Sequence, residues 1–209
     1  MRLEMVTDRG NKLLSSTKRF IMSLLNVNME HAFGNEWAME QKVKRKDMVS
    51  PESLYVLVRN VLPNESDPKF IGFLHYRFTF EEDVRVLYIY ELQLQSNFQG
   101  KGIGSFLIHI AELLAQQNHM AAVLLTVQKT NVAALKFYTN KHKYIISSTS
   151  PSRVNPTMDA NYEILYHYVG KKPLHIYHTN TIFRVYVCYR SSIQFSDKLS
   201  WLDQVVASE

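Results

Sequence analysis

Tyr88-Ile89-Tyr90-Glu91-Leu92-Gln93-Leu94-Gln95, then Gln99-Gly100-Lys101-Gly102-Ile103-Gly104 and an amphipathic helical pattern, form the stretch on which the fold turns. It reads as a strand feeding a phosphate cradle. Glycines at 100, 102 and 104 let successive backbone N–H groups turn toward one anion, and a helix starting near Ile103 adds the positive end of its dipole. A P-loop needs Gly-x4-Gly-Lys-Ser/Thr and a dinucleotide fold needs Gly-x-Gly-x-x-Gly; neither pattern is present. The glycines alone suit an ordinary turn as well as a pyrophosphate cradle, so the surrounding elements must decide.

Working outward, residues 84–94 form the strand itself, and Glu81-Glu82-Asp83 is the turn that precedes it. Before that turn, residues 53–59 and 70–80 are β-branched and aromatic runs, an expected antiparallel pair. They are separated by the turn-rich Pro63-Asn64-Glu65-Ser66-Asp67-Pro68. Two helices, residues 11–26 and 29–47, are expected ahead of the first strand, with Gly34 weakening the second. After the cradle, Ile103, Phe106, Leu107, Ile110, Leu113 and Leu114 make the stripe of a helix lying on a sheet and ending near Asn118. The continuous apolar run 122–127 is a strand buried on both faces. A helix over 132–140, a strand over 144–146, a polar loop over 147–161 and a strand over 162–168 follow. A mixed α/β sheet around a central β-α-β unit is implied. In the remainder, residues 171–209, the alternation at 182–189 suits an extra strand and 199–206 a short helix. Neither has a place in the core just described, which divides the chain into a domain over 1–170 and an extension.

Composition narrows the functional classes. A chain of 209 residues with 46% hydrophobic content suffices for one well-packed domain. No apolar run reaches the roughly 18 residues that span a membrane, and residues 1–20 mix charges with single apolar residues, unlike a signal segment. A soluble protein of the cytoplasm and nucleus is expected, with no membrane partner. The single cysteine, Cys188, leaves no internal disulfide, and the scattered histidines show no metal-ligand spacing. The net charge of +5 is dispersed, so direct nucleic-acid binding is not expected. Its densest group, Lys42, Lys44, Arg45 and Lys46, lies among Glu36, Glu40 and Asp47 and reads as a solvated helix face.

The strand rich in tyrosine and acid, followed by Gln-x-x-Gly-x-Gly, resembles the coenzyme A loop of the GNAT (Gcn5-related N-acetyltransferase) superfamily. Asn-Val-Ala-Ala-Leu-Lys-Phe-Tyr at 131–138 is a second resemblance. The resemblance implies a GNAT fold, acetyl-CoA as cosubstrate and no metal. It further implies that Leu92, Gln93 and Leu94 pair with the pantetheine arm, that Gly100, Lys101, Gly102, Ile103, Gly104 and Ser105 hold the pyrophosphate, and that Asn131 contacts the coenzyme. By the same resemblance Tyr138 is the acid that protonates the departing thiolate; read from the residues alone, Asn131 is a helix N-cap and Tyr138 core packing. Glu91, Tyr88 and Tyr90 stand just before the expected end of the coenzyme arm. A carboxylate among apolar neighbours binds protons more readily, which suits Glu91 to act as general base. Strict alternation would put Tyr88 and Tyr90 on one face and Glu91 on the other; a β-bulge would unite them.

Several segments together resemble the N-alpha-acetyltransferase D family: Glu36-Trp37, Lys46-Asp47-Met48, Ser53-Leu54-Tyr55, residues 87–94, Leu125-Thr126-Val127, Ser150-Pro151-Ser152 and Tyr162-Glu163-Ile164-Leu165. That resemblance spans residues 10–169 and implies acetylation of the N-terminal serine of histone four and histone two-A; a monomer is expected, although the sequence itself carries no sign of oligomeric state. By the resemblance the histone tail would be held by Tyr55, Thr79, Phe80, Glu81, Tyr90, Thr126, Thr149 and Tyr162. Glu81, Glu82 and Asp83 would meet the cations that follow a Ser-Gly start. Where the family carries an aspartate, this chain has Thr79. A lysine or small-amine acetyltransferase and a non-catalytic acyl-CoA-binding module remain the alternatives.

Overall fold

A computed structural model describes residues 1–61, 69–157, 160–169 and the backbone of 185–188. The expected connection at 63–68 and the expected helix at 199–206 lie outside the described residues. Among the described residues eight strands form one mixed, mostly antiparallel sheet in the order β6-β7-β5-β4-β3-β2-β1-β8. They are β1 (Arg2–Arg9), β2 (Leu54–Val61), β3 (Lys69–Glu81), β4 (Val84–Leu94), β5 (Ala122–Gln128), β6 (Ile145–Ile146), β7 (Tyr162–Tyr168) and β8 (Val185–Cys188).

Two expectations at the N-terminus are corrected. A strand, β1, precedes the helices, because Leu3 and Met5 are buried at a spacing of two while Arg2 and Glu4 stay outside. The helices are α1 (Ser15–Phe33) and α2 (Trp37–Met48), and the break falls at Gly34 rather than near residue 27. Gly34 has φ +52° and stops α1 where a side chain would be strained. The strand at the far edge also finds a place: β8 pairs in parallel with β1, Leu3 opposite Val185 and Val6 opposite Cys188.

α1 and α2 cover one face of the sheet, where Ile21, Leu25, Trp37, Met48, Tyr55, Leu57 and Phe73 pack together. α3 (Ile103–Gln117) covers the other, burying Ile103, Leu107, Ile108, Ala111 and Ala115 against Leu74, Leu87, Ile89 and Leu125. The unit β4-α3-β5 is the expected parallel crossover. α4 (Val132–Lys136) passes into one turn of π-helix, Phe137–Lys141, and α5 (Pro151–Val154) is a single turn inside the loop expected to be irregular.

Three local features shape the site. β3 and β4 are joined by Glu82 and Asp83, both at positive φ (45° and 63°), as a two-residue turn matching the strand twist requires. At Gly72 a Cβ would sit 2.4 Å from Leu94 Cδ2 and 2.5 Å from the Gln93 carbonyl oxygen, so glycine is what lets β4 lie this close. β4 and β5 pair only from Val86 opposite Ala122 to Ile89 opposite Leu125. Beyond that point β5 continues with β7 and β4 continues with β3, and the two parallel strands part.

Candidate active site

Where β4 leaves β5 it also bulges. His75 lies opposite Glu91 while Tyr76 lies opposite Ile89, so Tyr90 is an extra residue with no cross-strand partner. The extra residue brings Tyr88, Tyr90 and Glu91 to one face, the face of α1 and α2, and sends Leu92 and Leu94 into the opposite core. The tyrosine and glutamate positions that strict alternation would separate are thereby gathered at the mouth of the splay.

Around the bulge the aromatic rings form a ladder across three strands. His75 stacks between Tyr55 and Tyr90 with ring centroids 4.6 Å and 5.0 Å away, and Tyr88 lies 5.4 Å from Tyr90. Burial, aided by the nearby cations of Arg77 and Lys44, lowers the His75 pKa to about 3, so this ring stays neutral and acts as a spacer. Tyr55 is fully buried and its hydroxyl donates to the Met48 carbonyl at 3.1 Å, which makes it part of the cleft floor. Tyr88 shares a hydrogen bond of 2.5 Å with Thr126, and burial raises its pKa despite that bond. Glu81, Tyr90 and Tyr162 lie close enough to Tyr88 to act on it electrostatically, so these expected substrate residues do cluster there. Thr79 opposes Val86 on the same face as Tyr88, whereas Phe80 alternates to the other face and is 67% exposed. Thr149 lies in the turn after β6, with its hydroxyl bonded to that of Ser147 at 2.8 Å.

Glu91 is 9% exposed and both its carboxylate oxygens are occupied. Lys44 of α2 forms an ion pair with Oε1, and the Gln93 side-chain amide donates to Oε2 at 2.8 Å. Asn28 of α1 in turn donates to Gln93 Oε1 at 2.9 Å and to the Leu94 carbonyl at 3.1 Å. This corrects the reading of the lysine group as a solvated face. Lys42, Arg45 and Lys46 are exposed, but Lys44 falls on the inward stripe of buried Trp37, half-buried Gln41 and Lys44, and buried Met48, spaced by four, three and four residues. That spacing was the available signal. Arg77, unnoticed in the sequence, lies over the Tyr90 ring at 4.3 Å and donates to Asp47 Oδ1 at 3.1 Å and to Ser53 Oγ at 3.1 Å. It fixes the end of α2 to the bulge.

Tyr138 sits in the π-turn after α4, packed in the core, and burial followed by the charge of Glu91 raises its pKa. It therefore keeps its proton and lies within electrostatic reach of Glu91. Asn131 caps α4, accepting from the Ala134 N–H at 3.0 Å.

The glycine loop has the geometry of an anion cradle. Gly100 and Gly102 have φ +70° and +86°, and Gly102 is the cap of α3. The first N–H groups of α3, from Ile103 onward, have no carbonyl one turn back to bond and point out of the helix end. Lys101 rests over the Phe98 ring at 5.5 Å and Ser105 bonds His142 Nε2 at 3.1 Å. Between this cradle and Glu91 the β4 edge over residues 90–94 faces the splay without a neighbouring strand, the shape that accepts an extended arm. Among the described residues no group of three or more His, Cys, Asp or Glu side chains could hold a metal ion.

The turn ahead of β7 accounts for two segments singled out in the sequence. The hydroxyls of Ser150 and Ser152 donate to Glu163 Oε2 at 2.6 Å and 2.7 Å, and Lys129 lies 3.5 Å from Oε1. Burial alone would raise the Glu163 pKa, but these partners outweigh it and hold it below the usual value. The Ser-Pro-Ser turn is thereby clamped to β7.

Comparison with known proteins agrees with this geometry. A sequence model described as the Acetyltransferase (GNAT) family matches residues 21–144. Among curated proteins the chain is 38% identical over 69 residues to N-alpha-acetyltransferase 60 of Xenopus tropicalis, a match covering 31% of this chain and 28% of that protein. It is 33% identical over 60 residues to streptothricin acetyltransferase A of Bacillus subtilis (strain 168), covering 29% and 34%. The matches thus span about a third of those relatives or less. The fold matches PaiA N-acetyltransferase from Thermoplasma acidophilum in complex with coenzyme A, with TM-score 0.56 and 15% identity over 80% of this chain and 99% of that one. It also matches a chain of the NatC complex bound to Gag peptide and CoA, with TM-score 0.51 and 16% identity over 78% and 96%.

Proposed function

Because the chain belongs to the GNAT acetyltransferase family, we propose that it transfers the acetyl group of acetyl-CoA to the α-amine of a protein N-terminus. The Ser-Gly-starting tails of histone four and histone two-A are its substrates in this reading. The observation that carries it is the bulge at Tyr90, which sets Tyr88, Tyr90 and Glu91 side by side where β4 and β5 part.

Acetyl-CoA supplies a thioester whose acyl carbon bonds the amine nitrogen as the carbon–sulfur bond breaks, giving an amide and a thiol. The splay would hold the pantetheine arm along residues 92–94, and the loop from Gly100 to Ser105 would hold the pyrophosphate. Glu91 takes the proton that the substrate ammonium must lose before its nitrogen can attack. Tyr138, held protonated by burial, gives its proton to the departing sulfur and is restored by the second proton that the nitrogen sheds as the amide forms. Thr126 and Tyr162 line the acceptor side beside Tyr88, and Glu81, Glu82 and Asp83 draw in the basic residues that follow a Ser-Gly start.

The partial likeness to N-alpha-acetyltransferase 60 supports an α-amine as acceptor. The likeness to streptothricin acetyltransferase A supports a second reading, in which the acceptor is a small-molecule amine. The deciding assay offers acetyl-CoA with a Ser-Gly-Arg-Gly peptide, with the same peptide blocked at its α-amine and carrying free lysines, and with a polyamine antibiotic. Turnover confined to the unblocked peptide is expected. Equal turnover on the blocked peptide, or turnover on the antibiotic alone, overturns the N-terminal reading.

A further inference from the structure

The partner of Glu91 is a cation, and the reaction assigned to this site needs a neutral amine. An unpaired carboxylate would attract the substrate's ammonium and hold it in that form, aiding binding while opposing the loss of the proton. Lys44 changes this balance. Its ammonium contacts Glu91 Oε1 from α2, with its side chain 17% exposed and Glu91 9% exposed, so the two charges cancel in a poorly hydrated place.

The other charged or titratable groups facing Glu91 do not supply the same cancellation. Asp47 of α2 and Arg77 of β3 are paired with each other, Nη2 to Oδ1 at 3.1 Å. His75 of β3 is neutral. Tyr55 of β2 and Tyr138 beyond α4 are held protonated by burial. Tyr90 of β4 is turned to His75 and Arg77. α1 contributes apolar Ile21 and Leu25 beside Glu91, and Asn28 only through Gln93. Lys44 and Glu91 line a cavity of about 50 Å³ together with Asp47, Tyr55, His75 and Tyr90, room for a few water molecules.

We propose that Lys44 is a positioning residue for acetyl transfer: by neutralising Glu91 it keeps the site from trapping the acceptor as an ammonium ion, and it holds the carboxylate in its reactive orientation. This rests on Glu91 being the base in the reading above. Its consequence is a division of labour: the acidic turn at 81–83 attracts the substrate's cations while the reacting amine meets a site of no net charge.

The test is steady-state kinetics between pH 6 and 9.5 on the wild type, Lys44→Met, Lys44→Arg, Glu91→Gln and the Lys44→Met/Glu91→Gln double variant. Lys44→Met is expected to lower the peptide KM while lowering kcat about tenfold. Its rising kcat limb should move about one pH unit upward, the tenfold per unit that a retained proton imposes. Lys44→Arg restores the wild-type profile. The double variant should be no slower than Glu91→Gln alone, since the field of Lys44 acts through Glu91. A higher KM with an unmoved pH profile, or an additive double variant, overturns the role of Lys44. Thermal melts identify a Lys44→Met chain that fails to fold, and the double variant, which leaves no unpaired carboxylate, then decides. Should the wild type acetylate a lysine or small amine rather than the peptide, the same series is run on that acceptor, so the N-terminal reading can fail while Lys44 is still tested. A wild type that acetylates none of them overturns both.

Discussion

Glu91 carries the most specific chemical expectation of any single residue. Replacing it with glutamine keeps the size of the side chain and a carbonyl oxygen that can accept from Lys44, but removes the group that takes a proton. Glu91→Gln should therefore lower kcat by about 10²–10⁴-fold with acetyl-CoA affinity unchanged, read by steady-state kinetics beside calorimetric titration of coenzyme A. Glu163 makes a different prediction. Its pKa is lower folded than unfolded, so its contribution to stability is full above the unfolded value near 4.5 and is lost as pH falls through the lower folded value. Denaturant melts across that range should show wild type and Glu163→Gln converging as the pH drops. The sequence named both residues, yet not the partners that define them. Lys44 is distant in the chain from Glu91, and a charged side chain inside a basic cluster looks solvated until its neighbours on the helix are lined up with Trp37 and Met48.

In the proposed reading coenzyme capture depends on the glycine loop. Gly102 holds φ +86° at the start of α3, a conformation that costs an alanine about 1–2 kcal/mol. Gly102→Ala should raise the KM for acetyl-CoA while sparing kcat at saturation, because the strain falls on the cradle and not on Glu91; equal effects on both constants would argue against the cradle. The β4-α3-β5 unit was legible because its signals are local: a stripe of period 3.6, a short apolar run and glycines at the turn. The N-terminal strand was less so, since charges alternate with its apolar residues and it has no partner nearby in the chain; β2 and β8 supply that partner from far away. The bulge at Tyr90 also lies beyond local reading. It is a relation between two strands, and the pleat of β4 alone does not report which residue its neighbour skips.

At the scale of the molecule, the four residue pairs between β4 and β5 are the ladder that joins β1–β4 to β5–β7. A ligand lying in the splay extends that junction. Coenzyme A at a hundredfold excess over its Kd should stabilise the fold by about 2.7 kcal/mol. For a chain of this size that raises Tm by roughly 5–10 °C, measured by differential scanning calorimetry; inorganic pyrophosphate, which reaches only the cradle, should give less. The aromatic ladder and the Arg77 network tie α2 to the same junction, so the acceptor side and the coenzyme side share one scaffold.

The parting of β4 from β5 has a further consequence for how such a protein can change over generations. In the proposed reading the donor slot is made by backbone, whereas the acceptor face is made of side chains at Tyr88, Thr126 and Tyr162. Substitutions can drift the preference for one amine over another while leaving the donor untouched. Thr79, where the resembling family carries a carboxylate, is a position at which such drift would register first.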